Sequence, residues 1–434
     1  MNKAVAIAIP RHLPNGRGRT QSRPVGGSAD IAGGLIFVTP LLLGAYFATG
    51  VTALQLGMYG ICLVAVLPHV GPFVASLRRN PANLMLVLLF TALAMSTAAA
   101  FGRVPSPAAI QQAKALAATA VWAMVYVVTF SSIRTSGDVL RITRWIGSVC
   151  LIVTASVYLN ALLHVWGLRF GEVVEFSDGA FRAFGPLGDN VSFLLVLPIL
   201  MSLAGSRPIM FGVHLGALLL TATRGAVLCL AFGLLAYFLI VASGRIRSTV
   251  NRMRWSIAAV AVGCVVWLSP ASAVLMGRLS SDSSLSLRPM AMQMGIEAVQ
   301  EHPLLGTGFN GFANSRPAVA LDWLDPTLTK NALSRTTNQY VQTAADGGVI
   351  ALACLVLFVF CTARNALRVI GWPSATPHLV AANLWLISVL AGNLGALWFL
   401  ANTASGFFIF AVAGLAAKAS ALVIEQTAPR GRLA

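Results

Sequence analysis

The sequence predicts an all-α, polytopic membrane protein with about twelve transmembrane helices and one large outer loop carrying short helices. Three observations predict it. Of the 434 residues, 57% are hydrophobic and only 10% charged, whereas roughly a quarter of a soluble globular chain is charged, so a soluble enzyme is excluded. The charged residues cluster between long charge-free windows. The basic residues also fall unequally on alternate connections between those windows.

A bilayer core of about 30 Å takes roughly 20 helical residues. Eight charge-free windows suit one helix each: 80–102, 115–133, 145–168, 190–206, 208–223, 225–244, 255–277 and 347–363. Two more, 31–77 and 369–417, hold 47 and 49 residues, so each must fold back as a helical pair, which brings the spans to twelve.

Lys and Arg are retained on the cytoplasmic side of a membrane. With the N-terminus inside, 20 of the 30 basic residues lie in inner connections, where only Asp30, Asp138 and Glu425 offset them. The ten outer basic residues are matched by ten acids, so the formal charge of +17 lies wholly inside. The charge therefore records topology, both termini are cytoplasmic, and no nucleic-acid partner is needed to explain it. Residues 1–30 form a basic, disordered tail, and the first 27, rich in Pro, Gly and Arg, lack the apolar stretch of a cleaved signal. All six cysteines fall inside charge-free windows, away from outer loops where a disulfide could form.

The chain then divides into a bundle of helices one to nine at 31–276, a large outer loop at 277–346, helices ten to twelve at 347–424, and a tail at 425–434. A shorter outer loop interrupts the bundle at 168–189. In the large loop, Met292, Ile296 and Val299 recur at helical spacing between Pro289 and Pro303, which predicts an amphipathic helix over Arg288–Glu301. Gly306, Gly308 and Gly311 then punctuate a turn that brings main chain close to something. A second short helix runs from about Thr337 to Ala345 and leads through Gly347 and Gly348 into the next span. No repeat relates the two halves, which weighs against transporters built from repeated bundles. None of the 13 acids lies at the middle of a span, where coupled carriers need them.

What stands out is arginine on the outer face. The window before Arg224 holds 16 residues and spans only about 24 Å as a helix, which puts the guanidinium near headgroup level. An arginine fork can grip a diphosphate at two points. An interfacial arginine reaching for lipid phosphate fits the same position.

Thr-Ala-Thr-Arg-Gly-Ala at 221–226 resembles the Ser-Arg-Gly signature of the O-antigen ligase and polymerase superfamily. The stretch from Ser286 through Arg288 to Glu-His-Pro-Leu-Leu-Gly-Thr-Gly-Phe at 301–309 is similar to that family's most recognisable block, and Phe-Arg-Ala-Phe-Gly-Pro-Leu-Gly-Asp-Asn at 181–190 looks more loosely like its first-loop motif. The resemblance covers roughly 181–365.

It implies a bacterial inner-membrane glycosyltransferase, independent of metal and cofactor, working on the periplasmic side. Such an enzyme takes a glycan from undecaprenyl diphosphate and passes it, with inversion, to a hydroxyl of an acceptor glycan or of lipid A-core. Arg182, Arg224 and Arg288, aligned with the family's arginines, would stabilise the leaving diphosphate. Arg316, Arg335 and Asn338 are candidate substrate contacts. The implied partners are membrane lipids, a flippase and chain-length regulator proteins.

One residue departs from the family. The ligases carry a His-Asn pair before the next span, where this chain has Thr337-Asn338, and a threonine cannot accept a proton near neutral pH. His302, Glu301 and Asp346 are candidate substitutes. Each has a second reading: His302 as a helix-end residue, Glu301 as a solvated acid, Asp346 as a cap or arginine partner. Arg316, Lys330 and Arg335 also read as solvated loop residues. Phe309, Phe312, Trp323 and Tyr340 could stack on sugar rings or pack the loop down. The absent histidine favours a polymerase that joins lipid-linked repeat units over a ligase, and a lipid-linked glycan carrier is the reading from another class.

Overall fold

The computed structural model describes residues 28–49, 52–168, 171–175, 181–185, 187, 191–221, 223–242, 283–312, 338–372, 375–392 and 403–427. The span expected at 255–277 and the tail at 1–27 lie outside them.

Each of the two long windows holds more than one helix. The first holds α1 (Ser28–Thr49), then α2 (Thr52–Val66), which continues through a 3-10 turn at Leu67–His69 into α3 (Val70–Ser76). The second holds the end of a long helix and the pair α12 (Pro377–Gly392) and α13 (Thr403–Thr427). Between them run α4 (Pro81–Ala100), α5 (Ser106–Ser132), α6 (Ser136–Val165), α7 (Val191–Ala204), α8 (Pro208–Thr221), α9 (Arg224–Ala242), α10 (Ser283–Glu301) and α11 (Gln339–Ile370). Among the described residues, six helices are long and apolar enough to cross a membrane, and five shorter helices are also apolar.

Local chemistry sets where the helices begin. The side chain of Asn80 accepts the amide of Ala82 at 3.1 Å, with Pro81 opening α4, where a missing N–H costs nothing. Thr135 and Asp138 form a reciprocal capping box at the start of α6, satisfying two otherwise orphan donors.

Packing separates two groups of helices. In the first, α11 lies along α4 while α13 lies along α5 and α11. Trp122 meets Phe407 and Phe130 meets Lys418, so α5 and α13 run parallel. In the second group, α7 is buried on nearly every side by α6, α8, α9 and α12, as expected of a helix that is apolar all round. Trp385 of α12 donates to the carbonyl of Phe193 at 2.9 Å. The groups meet where α11 packs on α12, and α1 also joins them by touching α2, α5 and α6. His69 and His214 are buried hydrogen-bonding residues, His214 with Thr154 at 2.7 Å and His69 with Ser132 at 3.4 Å.

Three features differ from the sequence reading. The shorter loop contains an antiparallel hairpin, β1 (Glu172–Glu175) and β2 (Phe181–Gly185), with a register shift at Glu172/Val173. It forms because Ala183 and Phe184 bury themselves, β2 lying against α6, α7 and α8. The amphipathic helix begins earlier than expected, at Ser283. The short helix before the next span and that span are joined as α11, broken only at Gly348, whose φ of 69° is non-helical.

Candidate active site

The break in α11 organises one end of the bundle. At Gly348 the helical ladder stops, which frees the amide of Val349 and the carbonyls of Ala345 and Asp346; buried main-chain groups must find partners. The 303–309 segment supplies all of them. Val349 donates to the carbonyl of Pro303 at 2.8 Å, and the amides of Thr307 and Gly308 donate to Ala345 and Asp346 at 2.8 and 2.9 Å. The Thr307 hydroxyl adds a second bond to Ala345 at 3.1 Å.

The same loop is fixed to α4. Ser96 Oγ accepts from the amide of Gly308 at 3.1 Å and donates to the carbonyl of Asp346 at 2.5 Å, and Thr97 Oγ1 accepts from the amide of Phe309 at 3.1 Å. Arg103, just past α4, donates to the carbonyl of Gly306 at 3.1 Å. With these amides committed to protein acceptors, 306–309 is a clamp between α4 and α11 and has no main-chain donors left there to cradle a phosphate. Glycine is required because a Cβ at Gly306 would strike the main chain of Ala345 and Asp346, and one at Gly348 would strike the carbonyl of Leu304.

The first turns of α11 carry Gln339, Gln342, Thr343 and Asp346 at helical spacing, all buried. Asn338 caps this helix, accepting from the amides of Tyr340 and Val341 at 2.9 and 3.3 Å. Both oxygens of Asp346 accept from the side-chain amide of Gln342 at 3.0 Å. At 2% exposure Asp346 is the one buried acid among the described residues, and a buried carboxylate is costly unless paired or used.

The other candidate bases differ in setting. Glu301 is exposed and His302 half-buried, its carbonyl accepting from the amide of Gly306 at 2.9 Å. Phe309 and Phe312 are buried at 3% and 0% exposure, so they pack the loop and present no face to a sugar. Tyr340 is half-buried.

For the three arginines the structure gives main-chain positions. Arg182 lies in β2 opposite Val174. Arg224 is the first residue of α9, and α8 ends at Thr221 beneath the hairpin it contacts. Next to it, a Cβ on Gly225 would come within 3.0 Å of Phe193, which explains the small residue after the arginine: the start of α9 packs directly on α7. Arg288 lies in α10, which packs on α11. Arg182 thus lies in a hairpin that contacts α8, and Arg224 lies at the start of α9, while His302, Asn338 and Asp346 lie beside the 303–309 segment and Arg288 lies in the first half of α10. Arg316, Lys330, Arg335, Thr337 and Trp323 lie outside the described residues.

Ser96, Thr97, Arg103 and Gln112 were given no role by sequence. The available signal is a hydroxyl pair, Ser96-Thr97, near the end of an otherwise Leu- and Ala-rich span.

No curated protein matches the chain. The model of the O-antigen ligase family matches residues 209–356, a stretch that begins in α8 and ends in α11, and so holds Arg224, Arg288, the glycine clamp and Asp346. Over that stretch the chain is similar to the O-antigen ligase family, which supports the resemblance to the O-antigen ligase and polymerase superfamily.

Proposed function

We propose that the protein is a periplasm-facing glycosyltransferase of the bacterial inner membrane that polymerises undecaprenyl-diphosphate-linked repeat units into an exopolysaccharide or O-antigen chain. The observation that carries this reading is the family match across the residues that hold Arg224, Arg288 and Asp346. The N-terminus is inside, as the loop charges require, and the connections at 168–189 and 277–346 face the periplasm.

In the proposed reaction the acceptor hydroxyl oxygen attacks the anomeric carbon from the face opposite the diphosphate. The bond from that carbon to the diphosphate oxygen breaks, and undecaprenyl diphosphate leaves with the electron pair. Arg182, Arg224 and Arg288 stabilise the charge developing on it, and the start of α9 beneath Arg224 adds the partial positive charge of a helix N-terminus. Asp346 takes the acceptor proton in place of the absent histidine: Thr337 cannot, Glu301 is solvent-exposed, and Asp346 alone of the three acidic or basic substitutes is fully buried. Arg316, Arg335 and Asn338 hold the glycan.

A ligase acting on lipid A-core by the same donor chemistry is favoured by one observation, the family description itself. The experiment that separates the two uses purified full-length protein with a defined undecaprenyl-diphosphate oligosaccharide, with and without lipid A-core. A ladder of longer lipid-linked chains supports the polymerase, transfer only to core supports the ligase, and an unchanged donor removes the enzyme reading in favour of a carrier.

A further inference from the structure

Gln112 lies on α5, less than two turns from its exposed start, yet it is only 1% exposed. Its side-chain nitrogen and oxygen have no hydrogen-bond partner among the described residues. An amide buried in this way forfeits its hydration without recompense. An apolar residue of the same length would be the stable choice at the position, so the amide points to a partner outside the fold.

The cover over this amide is glycine main chain. A Cβ on Gly308 would collide with Gln112 Oε1, and one on Gly311 would come within 2.6 Å of its Nε2. The two glycines therefore let the loop close flat over the amide. The loop is pinned by Arg103, which is exposed, and by the Ser96 and Thr97 hydroxyls. Below the turn lies Asp346, bonded through its carbonyl to the same Gly308 amide.

We propose that Gln112 is a glycan contact, its amide binding a sugar hydroxyl of the lipid-linked oligosaccharide when Asn310 and Gly311 lift from α5 while the Gly308 and Phe309 amides stay bonded to Ser96 and Thr97. The chemistry selects the ligand. A carboxamide offers both a donor and an acceptor, and phosphate, which only accepts, meets half of that demand. A sugar hydroxyl donates and accepts at once. The contact rests on the glycosyltransferase reading for the identity of the oligosaccharide, while the unpartnered amide is independent of it.

The test compares full-length wild type with Gln112→Leu, and with Gln112→Met as a second apolar variant in case one fails to fold. Three quantities are measured: the unfolding midpoint, the affinity for undecaprenyl-diphosphate oligosaccharide and for undecaprenyl diphosphate without sugar, and KM against kcat for transfer. The expected result is an unchanged or higher midpoint, affinity for the oligosaccharide weakened by about tenfold, as the loss of one paired hydroxyl implies, and unchanged affinity for the sugar-free lipid. Unchanged oligosaccharide affinity in a folded variant overturns the proposal, as does equal weakening for both lipids. If wild type binds the oligosaccharide but never transfers it, while the variants bind it less well, the contact stands and the transferase reading falls.

Discussion

Ser96 and Asp346, 250 residues apart in the chain, are joined by a hydrogen bond from the serine hydroxyl to the aspartate carbonyl, and the same hydroxyl accepts the amide of Gly308. One side chain of α4 thus ties together the glycine loop and the broken helix that carries the buried acid. Replacing it with alanine removes both bonds. The Asp346 carbonyl keeps the Gly308 amide, so the cost is that of a partly compensated buried pair, about 1–3 kcal/mol. Ser96→Ala is expected to lower the unfolding midpoint measurably, and Ser96→Thr, which keeps the hydroxyl, should lose less if the extra methyl is accommodated. Thermal unfolding of the two purified variants decides this.

The break at Gly348 makes a sharper expectation. Its φ of 69° and ψ of −173° lie in a region essentially confined to glycine, at a cost to any other residue of about 1–3 kcal/mol, and a Cβ there would run into the carbonyl of Leu304, main chain that the clamp holds in place. Gly348→Ala should therefore cost well over about 2 kcal/mol and detach the loop, seen as new proteolytic cleavage between 303 and 312 and loss of folded protein on size exclusion. Gly34→Ala is the control, since nothing lies within 4 Å of the added methyl. Equal behaviour of the two would show that the break in α11 carries no constraint.

The helices were legible in the sequence because membrane spans are written in composition: charge-free windows bounded by arginine need no tertiary knowledge. That each long window holds more than one helix followed from length alone. The hairpin at 172–185 was not legible, because its strands hold four and five residues and the consecutive Ala183 and Phe184 are both buried, so β2 shows no alternation to read. The site was half legible. Glycines at 306, 308 and 311 announced a close approach without saying to what, since Ser96, Thr97 and Asp346 meet the loop across long sequence separations. Gln112 carried no signal at all: one glutamine at the start of a span reads as interfacial until the loop is seen over it.

Arginine at 224 is separable from its glycine neighbour. Gly225 serves packing, its absent Cβ facing Phe193, so Gly225→Leu should reduce folded protein and any activity together. Arg224→Lys and Arg288→Lys keep the charge but lose the two-point fork. If these arginines stabilise a leaving diphosphate, each lysine variant should fold normally and lose about 10²-fold in turnover. Polymer length and amount in a complemented deletion strain provide the check, and normal polymer from both lysine variants would reduce the arginines to interfacial residues.

Asp346 gives the most direct test of how the acceptor is activated. Its carboxylate is buried and both its oxygens accept from the Gln342 amide, so an asparagine in its place can still accept from that amide while being unable to take a proton. Asp346→Asn should accordingly remain folded, with the loop clamp intact because that clamp uses the main-chain carbonyl of residue 346 and not its side chain. Transfer should fall by about 10²-fold or more if the carboxylate is the base. Gln342→Leu removes the donor and leaves the acid, so it should cost stability first and activity second. An Asp346→Asn enzyme with undiminished turnover at normal donor affinity would make the aspartate a structural partner of Gln342, and the proton would then leave the acceptor without a protein base, late in a reaction driven by departure of the diphosphate.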